Sequence, residues 1–239
     1  MRVFLLNENK INGETYPLSE KERKCINVLR IKDGESFMAK DKKGNLYTAA
    51  LDEMFLKLIP GCEERGELPE YDGPMAEITL MQCLAKGKKN EKIVRESTEA
   101  GVERIIFFPS RYSDVKELDE HSKERIDAIA REAVMQSGGK MPEIIYEESL
   151  ERASTLAKGK KLMLHQGIRS NTIFLYDAIQ TGDESVSILV GPEGGLEDGE
   201  CEYLEKAGFI PILLGTNILR TETAGIYAIA GVETILNRK

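Results

Sequence analysis

The chain has 239 residues, of which 41% are hydrophobic, and its formal net charge is −8 at pH 7. That suits one or two globular domains with a sizeable core. It excludes a membrane-spanning helix, since no apolar run approaches the ~18–20 residues such a span needs.

The N-terminal 72 residues alternate short apolar runs with Gly, Asp and Asn. RVFLL (Arg2–Leu6), SFMAK (Ser36–Lys40), LYTAAL (Leu46–Leu51) and MFLKLI (Met54–Ile59) read as strands, with DKKGN (Asp41–Asn45) as a hairpin turn. One helix interrupts them: Ser19 and Glu22 form a capping box ahead of Lys24–Arg30. GELPEYDGP, within Gly66–Pro74, reads as a linker. The expected domains are therefore 1–72 and 73–239.

Beyond the linker the period changes. AEITLMQCL (Ala76–Leu84), RIIFF (Arg104–Phe108), PEIIY (142–146) and KLMLH (Lys161–His165) are near-continuous apolar strands. Helical patterns follow them at Asn90–Ala100, Lys123–Gln136, Leu150–Ala157 and Ile173–Ile179. Apolar strands alternating with helices predict an α/β fold, a parallel sheet covered on both faces.

The last stretch is the most informative. Val186–Val190 and Ile210–Leu214 are apolar runs that end in the low-bulk loops GPEGG (Gly191–Gly195) and LGTNILRTET (Leu214–Thr223), each followed by a helical pattern. Glycine lets the backbone approach a ligand closely, and ligands of open α/β sheets gather at strand carboxyl ends. Neither a GxxxxGK[ST] cradle nor a GxGxxG turn occurs. Glu193, Glu197, Asp198 and Glu200 would repel phosphate at this helix start. A ligand held through backbone groups and carrying positive charge fits better. The last helix, Glu222–Asn237, is apolar nearly all round and must be covered on more than one side.

The four cysteines are scattered and read as free thiols, and two histidines cannot build a His-rich metal cluster. Met1–Asn9 lacks a signal-peptide layout, which points to a cytoplasmic protein. Residues 141–239 carry 15 acidic against 9 basic side chains. The one dense basic cluster is Lys86, Lys88, Lys89, Lys92 and Arg95. Phosphate contacts are the natural use of cations placed against a helix dipole.

GPEGGL followed by glutamate, then LGTNILRTETA, resembles the RsmE family of ribosomal RNA methyltransferases, of the SPOUT class. VLRIKDGE (Val28–Glu35), KGKKNEKIVRESTEAGVERIIFFPSRYS (Lys86–Ser113) and EAVMQSGGKMPEI (Glu132–Ile144) fit as well, so the resemblance spans nearly the whole chain. It implies a SPOUT-type α/β fold with a C-terminal trefoil knot, a small PUA-like RNA-binding β-barrel at residues 1–72, and a homodimer. It also implies methyl transfer from S-adenosylmethionine to N3 of a uridine in small-subunit (16S) ribosomal RNA, naked or in the assembled subunit. Two alternatives stay open: a SPOUT methyltransferase for another RNA nucleotide, and a non-catalytic RNA-binding protein on this scaffold.

The resemblance also implies site residues. Three knot loops would meet the cofactor. They supply Leu164, His165 and Gly167; Val190, Gly191, Glu193, Gly194 and Gly195; and Leu214, Gly215, Ile218 and Leu219. Arg220 would stabilise charge on the deprotonated base, and Glu222 would take the proton or orient Arg220. Arg30, Lys88, Lys92, Arg95 and Arg111 are the RNA candidates, and no metal is expected. Two positions depart from the family pattern: Asn217 and Gly139 stand where arginine is usual.

Overall fold

A computed structural model describes residues 3–28, 30–41, 45–61, 76–215 and 217–237. The linker Gly66–Pro74, Cys62 and the middle of the DKKGN turn fall outside the described residues. The chain divides into two compact units, Met1–Tyr71 with Arg131–Met141, and Asp72–Ala130 with Pro142–Lys239.

The first unit is a five-stranded sheet in the order β1-β3-β4-β5-β2. Its strands are β1 (Phe4–Leu5), β2 (Thr15–Pro17), β3 (Ser36–Lys40), β4 (Leu46–Asp52) and β5 (Phe55–Pro60). β3 pairs antiparallel with β4, and the pairing ends where Lys40 faces Leu46. Asp41 accepts there from the Asn45 amide at 2.8 Å. Alternate residues of β5 are buried, as a one-sided sheet requires. The core is Phe4, Leu6, Tyr16, Ile26, Leu56 and Leu58, with Met135 packed against it.

The helix of this unit, α1 (Glu20–Val28), begins earlier than the apolar pattern suggests. The reason is the cap. The Ser19 amide donates to Glu22 Oε2 at 2.7 Å, and the Glu22 amide donates back to Ser19 Oγ at 3.4 Å. Tyr16 donates to the same carboxylate and Lys10 bonds it at 2.8 Å. Burial works against the Glu22 charge, yet the bonds from Lys10, Ser19 and Tyr16 prevail and draw its pKa down to about 2.

The second unit is a seven-stranded sheet, every pairing parallel, in the order β10-β12-β9-β11-β6-β7-β8. Its strands are β6 (Glu77–Cys83), β7 (Arg104–Phe108), β8 (Glu143–Tyr146), β9 (Lys160–Leu164), β10 (Ile173–Phe174), β11 (Ser185–Val190) and β12 (Ile210–Leu213). Its helices are α2 (Lys89–Glu99), the part of α3 (Glu120–Ser137) before Arg131, α4 (Leu150–Thr155), α5 (Leu175–Ala178), α6 (Asp198–Lys206) and α7 (Thr221–Leu236). The helix expected over residues 173–179 is shorter, because its first two residues pair with β12 instead.

β6 shows why its strand is apolar throughout. Met81 and Cys83 join a core with Leu150, Ala153, Cys201 and Leu204, from α4 and α6. On the other face Leu80 lies under α7, where a Cβ on Gly225 would meet it at 3.2 Å. α7 packs on β11, β6, α2 and α5. Its buried residues are Thr221, Glu222, Ala224, Gly225, Ala228, Ile229, Val232 and Leu236, while Tyr227 remains 56% exposed. The expected all-round cover is thus supplied on one side within the chain.

Candidate active site

The pairing register fixes where the three loops emerge. Leu164 ends β9 beside Val190, the end of β11, and beside Ile212 near the end of β12. All three chains therefore leave the sheet at one edge. Their loops wall a cavity of about 690 Å3, joined by Phe174 of β10, the first turn of α7 and Lys89 of α2. That volume suits a ligand of cofactor size.

Of the residues named for the cofactor, Leu164, His165, Val190, Gly191, Glu193 and Gly195 line the cavity, as do Leu214, Gly215, Ile218 and Leu219. Gly167 and Gly194 do not. A Cβ on Gly194 would come within 3.0 Å of Tyr112 Cβ, so this glycine serves close packing on Tyr112. A Cβ on Gly215 would meet no atom within 4 Å.

The GPEGG loop is a turn. The Gly195 amide donates to Pro192 O at 3.0 Å, and Gly195 has φ +75°, the left-handed region that favours glycine. The acidic residues after it have structural partners. Glu197 and Glu200 form the capping box of α6. Glu200 Oε1 also accepts from the Arg111 amide at 2.7 Å, and Asp198 pairs with Arg169 at 3.5 Å. Their charge is committed to the fold, so it says little about the ligand.

His165 stands at the cavity wall with Nδ1 3.7 Å from Cys201 Sγ. Burial, and then the Arg169 guanidinium, draw its imidazole below the ordinary value, so the ring is neutral at pH 7.

Arg220 is the N-cap of α7 and lines the cavity with an exposed side chain. Its carbonyl accepts from the Thr223 and Ala224 amides at 2.9 and 2.8 Å. Glu222 lies behind the wall. Its side chain is 10% exposed, and its Oε2 sits 3.7 Å from Lys89 Nζ with no hydrogen-bond donor. The expected Arg220–Glu222 pair does not form.

Lys88, Lys92 and Arg95 are exposed and lie at spacings of four and three, one stripe of the α2 start. Lys88 and Arg95 have no ion-pair partner among the described residues, while Lys92 lies 3.7 Å from Glu96. Lys86 pairs with Asp114 at 2.7 Å. Arg111 is exposed, and Arg30 is exposed with φ +58° at the end of its helix. Gln166, Phe174, Thr221 and Lys89 line the cavity without having been singled out for it. Lys89 was visible in the basic cluster; its acidic partners were not. Among the described residues no group of His, Cys, Asp and Glu could hold a metal.

A parallel sheet whose adjacent strand ends carry glycine-rich loops around one cavity defines an α/β protein that takes a small ligand at its carboxyl edge. The chain belongs to the RNA methyltransferase domain family, whose model matches residues 72–233, and with relatives along its whole length to the ribosomal RNA small subunit methyltransferase E family. The enzyme of that name from Aquifex aeolicus is 30% identical over 230 residues, covering 94% of this chain and 95% of its own. The one from Bacillus subtilis is 29% identical over 247 residues, covering 96% and 94%. A crystal structure of ribosomal RNA small subunit methyltransferase E from Neisseria gonorrhoeae, bound to S-adenosyl methionine, is also similar. It is 29% identical, covers 98% of each chain and superposes with a TM-score of 0.80.

Proposed function

We propose that this chain is an S-adenosylmethionine-dependent methyltransferase that modifies N3 of a uridine in small-subunit (16S) ribosomal RNA. The observation that carries this reading is the cavity where β9, β11 and β12 end, lined by ten of the twelve residues that the family motifs named for the cofactor. Leu164, Val190, Leu214 and Leu219 offer apolar walls, and the loops around Gly191 and Gly215 expose backbone where an adenine edge would need donors and acceptors. These groups fit S-adenosylmethionine.

The cofactor supplies an activated methyl group, because its sulfur leaves neutral. The protein's share is alignment and the handling of one proton and the charge it leaves. Arg220, exposed at the cavity, is assigned to the charge on the flanking carbonyl oxygens of the deprotonated base. Glu222 lies outside the lining, which favours its role in holding this turn for Arg220 over proton acceptance. Calorimetric titration tests the reading. Saturable binding of S-adenosylmethionine supports it, and no binding favours the rival, a non-catalytic RNA binder.

RNA is assigned to Lys88, Lys92, Arg95 and Arg111 on the second unit and to Arg30 on the first, whose sheet would be the PUA-like barrel. Lys88→Glu with Lys92→Glu should weaken RNA binding and lower the slope of log affinity against log salt by about 1.4–1.8, since each lost phosphate contact removes about 0.7–0.9. An unchanged slope would reduce the stripe to a solvated face. The trefoil knot, formed where the loops after β9, β11 and β12 meet α7, belongs to the same reading. So does a cytoplasmic location. Among the described residues no helix is long and apolar enough to cross a membrane.

A two-fold dimer completes the assignment. Its support is the outer strip of α7, where Tyr227 is 56% exposed beside exposed Ala230. Light scattering should give twice the chain mass, and a fully active monomer would refute the dimer.

A further inference from the structure

Two consecutive residues at the start of α7 are tied to the GPEGG loop by different means. Thr221 Oγ1 donates to Gly191 O at 2.7 Å, and the buried Gln82 donates to that hydroxyl from Nε2 at 2.9 Å. Glu222 is tied through a third segment. Lys89 Nζ bonds Glu193 Oε1 at 2.7 Å and stands 3.7 Å from Glu222 Oε2. The Lys86 amide donates to the same Glu193 oxygen at 3.0 Å. One ammonium at the start of α2 thus sits between two carboxylates carried by two cavity segments.

This arrangement is costly unless it is used. Lys89 opposes the helix dipole at the first residue of α2. Glu222 Oε2 is buried with no donor, and leaving a buried polar atom without a partner is costly. Burial works to raise the Glu193 carboxyl, but the bonds from Lys89 and from the Lys86 amide hold it below the ordinary value. Without the ammonium, Glu193 and Glu222 would be two like charges with nothing between them.

We propose that Lys89 is a positioning residue that clamps the GPEGG loop to the first turn of α7, and so fixes the cavity wall and Arg220 together. Lys89 acts through Glu193 and Glu222, and Thr221 forms the uncharged half of the same latch. The inference rests on the methyltransferase reading only for its effect on turnover. The clamp itself is a property of the chain alone.

The test uses the full chain with Lys89→Met, Lys89→Arg and Glu193→Gln. Amide hydrogen exchange without ligand reads the clamp directly. Exchange at residues 191–195 and 221–224 should speed up in Lys89→Met and return toward the parent rate in Lys89→Arg. With S-adenosylmethionine present, Lys89→Met should weaken cofactor affinity and lower kcat, each by about tenfold to a hundredfold, as loss of alignment does. The KM for RNA should stay within about twofold, since no RNA contact is removed. In a Glu193→Gln background the same substitution should cost less than about threefold, because coupled partners are not additive. Parent-like exchange in Lys89→Met, or an equal effect in both backgrounds, would overturn the clamp. If Lys89→Met does not fold, Glu193→Gln alone decides: its exchange at residues 221–224 must exceed the parent's. A parent chain that ignores S-adenosylmethionine would sink the methyltransferase reading and leave the exchange result to judge the clamp.

Discussion

Replacing Arg220 by alanine should lower kcat by about 10²–10³-fold, the usual cost of one donor aimed at developing negative charge. The structure separates this effect from damage to the fold. Arg220 caps α7 through its backbone carbonyl, which holds the Thr223 and Ala224 amides whatever the side chain. The side chain is exposed and makes no salt bridge with Glu222, so its loss strands no buried partner. Cofactor affinity and the thermal midpoint should therefore stay near the parent's. Lysine should restore only part of the rate, because a point charge cannot reproduce the planar fork. Steady-state kinetics with saturating cofactor measure it, and an unchanged kcat would remove Arg220 from the chemistry.

Gly215→Val should abolish most cofactor binding and leave the protein folded. Gly215 lines the cavity, its φ lies outside the left-handed region, and a Cβ there meets nothing within 4 Å. The chain accepts the side chain, and the cavity receives it. Overpacking of about 1–3 kcal/mol corresponds to about a fivefold to 150-fold loss of affinity. Gly194→Val should behave in the opposite way. Its branched side chain would press on Tyr112, where the first added carbon already comes within 3.0 Å. It should cost thermal stability while the cofactor affinity of the folded fraction holds. Calorimetry on both variants distinguishes them, and equal affinity losses would place Gly194 at the ligand after all.

That contrast shows what a sequence carries about such a site. GPEGG and LGTNILRTET mark loops of low bulk, but Gly194 and Gly215 look alike until Tyr112 packs against Gly194. The parallel strands were legible because burial on both faces makes them continuous apolar runs, as RIIFF in β7 shows. β2 and β10 were not, because two or three residues carry no period and their partners are distant in sequence. The helix starts were legible where the cap is local, as with Ser19 and Glu22. Lys89 was hidden for the opposite reason. Its partners Glu193 and Glu222 lie more than a hundred residues away, so nothing local distinguishes it from its neighbours Lys88 and Lys92. The acidic start of α6 misled in a related way. Charges that look available for a ligand are spent on a capping box, on Arg111 and on Arg169.

The central claim is tested most directly by nucleoside mass spectrometry of small-subunit ribosomal RNA from a strain lacking this protein, before and after incubation with the purified chain and methyl-labelled S-adenosylmethionine. The account predicts one missing 3-methyluridine in the starting RNA, restored with the label at the same position. RNA with its full complement of 3-methyluridine, or a label that appears on another nucleoside or not at all, would contradict it.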